Sequence, residues 1–286
     1  MQKKFLWLSL AVIILVAACN HGRIETVAGI VADSDSVFSA DSIIADTLPL
    51  DQEFARAPMP ETVDEIFDDF ILAFDQSNGL QRQRTHFPFP VTDKEGNRTY
   101  VQKRDWEHRF IFPDHEFCTA FFNYSGQMQM AYSTSGQWAE VERIDLVNRE
   151  INRFHFDRDS IGRWIFTGES AVPYESHLLA EFFDFYHQFA TDSAYQRQHV
   201  ARSLRYISSD EDDDEEESVE GFIDADQWFE FAPELPTDQL TNILYGQTYN
   251  NPNRLIMQIR GMGNGLQNLL VFQLQHNRWI LTSFEN

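Results

Sequence analysis

The sequence predicts an α+β fold built twice in tandem, and three observations carry that prediction. Words recur at one spacing: Leu80, Gln81, Arg82 and Gln83 return as Tyr195, Gln196, Arg197 and Gln198, and Arg163, Trp164 and Ile165 return as Arg278, Trp279 and Ile280, each 115 residues on. An apolar stripe of helical period stands near the start of each copy. Runs of alternating, β-rich sequence close each copy, and helices followed by strands indicate an α+β arrangement. Repeats on this scale fix architecture before any element is assigned.

The elements follow in chain order. Lys3 and Lys4 precede an apolar stretch over residues 5–18. That stretch is shorter than the roughly 20 residues a helix needs to cross a bilayer, and it has the length of a signal-peptide core. Val16, Ala17, Ala18 and Cys19 resemble a bacterial lipobox, which implies a signal peptide over 1–18 and a lipid on Cys19. Each buried acyl CH₂ contributes about 0.8 kcal/mol, so acylated Cys19 is expected to hold the protein on a lipid membrane. The next residues, Asn20, His21, Gly22 and Arg23, lack the acidic cluster often carried by surface-exported lipoproteins, so a periplasm-facing outer-membrane address is expected. Residues 19–60 are rich in Asp, Ser and Ala, with Pro49, Pro58 and Pro60 at the far end. Low hydrophobicity with excess charge predicts a disordered acidic tether that spaces the body from its anchor.

The first α+β domain is placed at 61–170 and the second at 171–286. In the first, Val63, Ile66, Phe67, Phe70, Ile71 and Phe74 form one apolar face, with Thr62 and Glu65 at capping-box spacing. In the second, Leu178, Leu179, Phe182, Phe183, Tyr186 and Phe189 repeat it. The middles are polar and irregular around Trp106 and Trp228. A second helix is expected after Pro113 in one copy and after Pro236, Thr237 and Asp238 in the other. Strands are expected at 141–148, 151–156 and 163–167, and again at 255–261, 266–275 and 278–284, in antiparallel meanders. Residues 210–217 are eight consecutive acids without the spacers and turn glycine of a calcium loop, which predicts a solvated loop.

Composition bounds the function. Net charge is −23, and −25 once Lys3 and Lys4 are removed, so a nucleic-acid partner is disfavoured by repulsion. A hydrophobic content of 43% with 25 Phe suffices for two packed cores. Beyond Cys19 the one remaining thiol is Cys118, set in an apolar run and expected to behave as a small core residue.

The residues that repeat with the framework are the ligand-binding candidates: Asp69 and Asp184 in the opening helices, Arg82 and Arg197 in the Gln-Arg-Gln words. A carboxylate desolvated beside a pocket works as a base, and a guanidinium fork holds an anion. The structural alternative pairs Asp69 with Arg82 and Asp184 with Arg197. His177 and Glu181 stand four apart, but two ligands do not make a metal site, and the remaining histidines show no ligand spacing. No Gly-x-Ser-x-Gly elbow occurs. The glycine-rich 261–265 joins strands, as a hairpin turn does. No catalytic residue, metal or cofactor is therefore assigned.

The Phe-rich opening helix, the Gln-Arg-Gln word and the closing Arg-Trp-Ile strand together resemble the nuclear-transport-factor-two-like (NTF2-like) fold, a cystatin-like cone of curved sheet around a helix. Doubled behind a lipobox and tether, the set is similar to an uncharacterised family of Bacteroides-type lipoproteins. The resemblance covers about 61–286. It implies two cones packed as an internal pseudo-dimer and brings no activity with it. The expectation is a membrane-anchored envelope lipoprotein that binds an envelope protein or small ligand without catalysis. The competing expectation is an enzyme or carrier for a small apolar ligand in one cone.

Overall fold

A computed structural model describes residues 61–112, 117–209, 218–262 and 265–286. The signal peptide, Cys19, the tether, Pro113, the acidic run 210–217 and the centre of the glycine-rich turn lie outside the described residues. Among the described residues no helix is long and apolar enough to cross a membrane.

The opening helix is shorter than its sequence stripe. Glu61–Asp64 is a 3-10 turn, and the α-helix α1 spans Phe67–Gln76 with Ile66 as a cap lacking any side-chain bond. The reason is Asp64. Its carboxylate is drawn to Arg84 at 2.8 Å and accepts Trp164 N–H at 3.1 Å, so the first turn is held across the domain and the Thr62–Glu65 box does not start the helix. Four stripe residues are buried: Phe67, Phe70, Ile71 and Phe74. Ser77 then caps α2 (Asn78–Arg84) by accepting Leu80 N–H. The second half has the same arrangement in α4 (Ala180–Thr191) and α5 (Ser193–Gln198), with Asp192 accepting Ala194 N–H at 2.8 Å and Tyr195 N–H at 3.0 Å. Leu178, expected on the stripe, precedes α4 and is exposed.

The middles are not irregular. They contain β1 (Phe89–Thr92) and β2 (Arg98–Val101) in one half, and β7 (Val200–Ser209) and β8 (Ser218–Asp224) in the other. The helices expected after the prolines are strands instead, β3 (Phe117–Phe122) and β9 (Gln239–Leu244). Both are buried on both faces, β9 even through Thr241 and Asn242, so neither shows the alternation that separates a strand from a buried helix. Only four-residue helices occur nearby, α3 (Ser125–Met128) after β3 and α6 (Trp228–Phe231) before β9.

The closing meanders form as expected, somewhat longer: β4 (Trp138–Asp145), β5 (Glu150–Arg158) and β6 (Trp164–Val172), then β10 (Arg254–Gly261), β11 (Gln267–Gln275) and β12 (Arg278–Glu285). His276 and Asn277 both have positive φ, 49° and 61°, which gives the β11–β12 turn the backbone twist of a tight hairpin.

Two six-stranded sheets result, in the orders β2-β1-β6-β5-β4-β9 and β3-β10-β11-β12-β7-β8. The orders match element for element, with one exchange. β9, from the second half, pairs with β4, while β3, from the first half, pairs with β10. The exchanged strands meet at residues 122 apart in sequence: Thr119 N–H donates to Thr241 Oγ1 at 2.7 Å, and Thr241 N–H to Thr119 Oγ1 at 2.9 Å. Each sheet therefore holds one strand from the other half of the chain.

Each sheet curls around its helix with an aromatic filling. Around α1, Phe67, Phe70 and Phe74 contact Phe156, Phe166 and Trp164 at centroid distances of 5.0–6.0 Å. Around α4, Phe182, Phe185 and Phe189 converge on Phe272 at 5.3–5.7 Å. Edge-to-face pairs contribute about 0.5–1.5 kcal/mol each beyond area burial, so these rings both fill the cones and hold them rigid.

Candidate functional site

Two polar clusters stand out among the described residues of the interior, and neither is repeated in the other half. The first is at the mouth of the α1 cone. Asp68, one position before the expected Asp69, points inward to an ion pair with Arg260 of β10. Tyr245 Oη donates to Asp68 at 2.5 Å and receives Arg260 Nη2 at 3.1 Å, and the Cys118 Sγ lies 4.0 Å from the same guanidinium. Asp68, Cys118 and Arg260, with Ile71, Leu72, Phe112, Ile243 and Met262, line a pocket of about 100 Å³. Burial pushes the Cys118 thiol up and Arg260 only partly offsets it, so sulfur is held as the inert thiol. Burial and Asp68 likewise keep Tyr245 a neutral phenol. The cluster satisfies its own charges, and the space beside it is well under the roughly 300 Å³ at which ligand pockets begin.

The second cluster is a continuous chain of hydrogen bonds and ion pairs. It starts on the outer face of the first sheet, where adjacent strands place Glu140, His155 and Ser170 side by side. His155 Nδ1 meets Glu140 at 2.8 Å, and its Nε2 meets Ser170 Oγ at 2.9 Å. Arg153 then bridges Glu140 at 3.4 Å and Glu142 at 2.6 Å. Glu142 is fully buried, and it also accepts Asn242 Nδ2 at 2.9 Å and His177 Nε2 at 3.2 Å. His177 Nδ1 accepts Leu179 N–H, which assigns the Nε2 proton to the carboxylate. Asn242 continues to Phe121 N–H of β3 and to Tyr249. The chain thus runs from solvent to the seam where the exchanged strands meet.

Burial pushes the Glu142 carboxyl up, but the hydrogen bond from His177 and the charge and hydrogen bonds of Arg153 outweigh it and hold the group below its ordinary value. Ser170, His155 and Glu140 have the connectivity of nucleophile, base and orienting carboxylate. Ser170, however, stands in mid-sheet on a strand paired to both β1 and β5. Its backbone surroundings are committed to the ladder, whereas acyl transfer needs donors turned towards a developing oxyanion. Arg153, opposite Ser170 in register, is already taken by two carboxylates. The arrangement positions strands; it is not arranged to attack a carbonyl.

The four candidates from the repeats are on the surface, and their expected pairings do not form. Asp69 is exposed, and Arg82 makes no ion pair with a described residue. Asp184 takes Arg149 and the Tyr174 hydroxyl, while Arg197 takes Asp226 at 2.9 Å and lies over the Phe229 ring. What the Gln-Arg-Gln words bury is their first glutamine. Gln81 clamps the backbone of Arg109 from both sides at 2.8 Å, and Gln196 is also buried. His177 turns inward to Glu142, away from any metal shared with Glu181. Asp68 and Glu142 had no sequence signal of their own: the one is masked by neighbouring acids, the other sits in an ordinary strand alternation. A wider polar groove of about 420 Å³ lies outside the cones, along residues 234–239 and Phe117.

Comparison with known proteins agrees with this architecture. A family model described as a domain of unknown function, DUF4348, matches residues 46–286. The crystal structure of an NTF2-like protein from Bacteroides fragilis NCTC 9343 superposes with a TM-score of 0.73 at 35% identity, covering 80% of this chain and 98% of that one. No curated protein matches the chain.

Proposed function

Because the chain belongs to the DUF4348 family and has an NTF2-like fold, we propose that it is a lipid-anchored envelope protein whose rigid body binds a partner on its outer surface and performs no chemistry. The observation that carries this reading is the filling of both cones. Phe67, Phe70, Phe74, Phe182, Phe183, Tyr186 and Phe189 are each at most 2% exposed where such folds place a ligand cavity. The space left in the first cone, about 100 Å³, accommodates a few water-sized groups and not a substrate. Carriage of a small apolar ligand requires those rings to move apart, against close packing on every side.

The anchor and its address rest on sequence: the basic n-region, the short apolar stretch and the lipobox-like residues ending at Cys19. Acylated Cys19 would hold the body at the outer membrane, facing the periplasm. The tandem copies, read as a duplication and an internal pseudo-dimer of cones at 61–170 and 171–286, are supported by the shared element order of the two halves.

Two measurements test the proposal. Incorporation of labelled fatty acid that vanishes in Cys19→Ala supports the anchor, and unchanged labelling removes it. Small-ligand screening by thermal shift should leave the melting temperature unchanged. A saturable shift abolished by Asp68→Asn, or turnover abolished by Asp69→Asn or Asp184→Asn, transfers the function to a pocket and overturns the reading.

A further inference from the structure

The two loops that follow the exchanged strands meet at one end of the molecule, and neither contains a charged residue. Residues 123–137 join β3 to β4, and residues 245–253 join β9 to β10. In a chain of net charge −23 they are made almost entirely of Tyr, Asn, Gln, Ser, Thr, Gly and Met, and Trp138 follows the first directly. The loops are bonded to one another along their length. Met130 and Trp138 close on Gly246, where a Cβ would lie 3.6 Å from each. Gln127 Nε2 donates to the Thr248 carbonyl at 2.9 Å, and Tyr124 Oη donates to Asn250 Oδ1 at 3.0 Å. Asn123 Oδ1 accepts Asn251 N–H at 2.9 Å, and its Nδ2 donates to the Asn251 carbonyl at 3.1 Å. Three rings face solvent on this fixed frame: Trp138 (47% exposed), Tyr132 (60%) and Tyr124 (42%). Rigid rings give contact area at low entropic cost, and short polar side chains supply hydrogen bonds between them.

The charges that border this surface limit what it accepts. Asp157 stands opposite Trp138 in register and accepts the Thr167 hydroxyl at 2.7 Å. Glu65 and Asp69 are exposed just before and within α1, against which the turn Gln129–Tyr132 packs. Two cations reach the loops and are spent on their backbone: Arg158 Nε donates to the Gly136 carbonyl at 2.7 Å, and Arg254 Nη1 to that of Asn123 at 3.2 Å. An anionic ligand therefore meets acids at the rim. A cationic one finds no carboxylate among the rings, only what this acidic chain offers elsewhere.

We infer that this surface binds an uncharged oligosaccharide. A sugar ring carries an apolar face of C–H groups, polarised by neighbouring oxygens, that settles on the negative face of an aromatic ring. Its hydroxyls project from the edge, where the exposed side chains of Gln129, Thr134 and Thr248 supply neutral donors and acceptors. Trp138 and Tyr124 meet the second loop at Gly246 and Asn250, so those contacts are at most about 14 Å apart, room for more than one sugar ring. The frame is set before binding, which reduces the ordering cost. Such a ligand would be the partner in the outer-surface binding proposed above, on which its assignment rests. A protein partner anchors instead through side chains sunk in desolvated pockets, whereas these rings stand half exposed among amides and hydroxyls.

Isothermal titration of the full chain, in a detergent without a sugar headgroup, tests this with neutral hexasaccharides built from glucose, xylose, mannose and galactose. Hexagalacturonate serves as the anionic control and hexalysine as the cationic one. At least one neutral hexasaccharide should bind and change the tryptophan fluorescence. Trp138→Ala or Tyr132→Ala should weaken that binding at least about tenfold, or about 1.4 kcal/mol. Trp138→Phe keeps a ring and should retain more of the affinity than Trp138→Ala. Both side chains are exposed, and matching circular-dichroism melts establish that folding is intact. Absence of binding by every neutral hexasaccharide, or binding indifferent to the ring variants, overturns the oligosaccharide surface and leaves outer-surface binding of another partner standing. Tighter binding of hexalysine or hexagalacturonate, lost in the same variants, overturns it in favour of a charged partner. Binding lost in Asp68→Asn and kept in the ring variants places the ligand in the first cone and overturns both readings.

Discussion

Asp68 and Asp69 are adjacent in sequence and opposite in consequence. A step of one residue turns about 100° around a helix, enough to move a carboxylate from solvent into an ion pair with Arg260. Glu142 shows the same dependence on position within a strand, since its alternation turns it into the seam, where Arg153, His177 and Asn242 meet it. A group held below its ordinary carboxylate value of 4.5 stabilises the fold above that value, and the contribution is lost as pH falls through the lower folded value. Glu142→Gln is therefore expected to lower unfolding free energy near neutral pH by about 2–4 kcal/mol, less than a wholly sealed pair because Arg153 reaches solvent. The deficit should shrink on acidification below pH 4.5, where wild type loses the same contribution. Urea titrations from acid to neutral pH measure both. A constant deficit at all pH values assigns the loss to packing and not to charge.

Among the elements, those with a single buried face were legible. The stripes of α1 and α4 and the strands β4, β5 and β6 show their period in sequence, because one side faces a core and the other is partly open. β3 and β9 were misread as helices because both of their faces are buried, which removes the alternation that identifies a strand. Their pairing also depends on residues 122 apart. Thr119 and Thr241 satisfy one another's backbone N–H groups at the meeting of two sheet edges, where no ladder partner is available. Thr119→Val or Thr241→Val should each cost about 1–3 kcal/mol by leaving a buried donor unmet. The double variant should cost measurably less than the sum, because either substitution already breaks part of the reciprocal contact. Strict additivity in a denaturant double-mutant cycle argues against a coupled pair.

At the scale of the whole molecule, strand exchange ties the two halves into one folding unit. β6, the last strand before α4, runs to Val172. A chain cut after Val172 gives two pieces, each lacking the sixth strand of its own sheet and carrying that of the other. Each piece alone is expected to lose cooperative unfolding, and the two mixed are expected to regain it as a one-to-one complex, followed by near-UV circular dichroism. Independent, cooperative folding of either piece contradicts the exchange as a source of stability.

The sequence by itself determined the class of fold and the acidity that disfavours nucleic acid, because these rest on composition and on periods of two to four residues. The Gln-Arg-Gln and Arg-Trp-Ile words mark framework, with the buried Gln81 the clearest instance. Tertiary structure alone decided which sheet receives β3 and which β9, and that Asp68 and Glu142 and not the repeated acids are desolvated. Those outcomes depend on contacts between residues more than a hundred positions apart, and local periodicity carries no record of them.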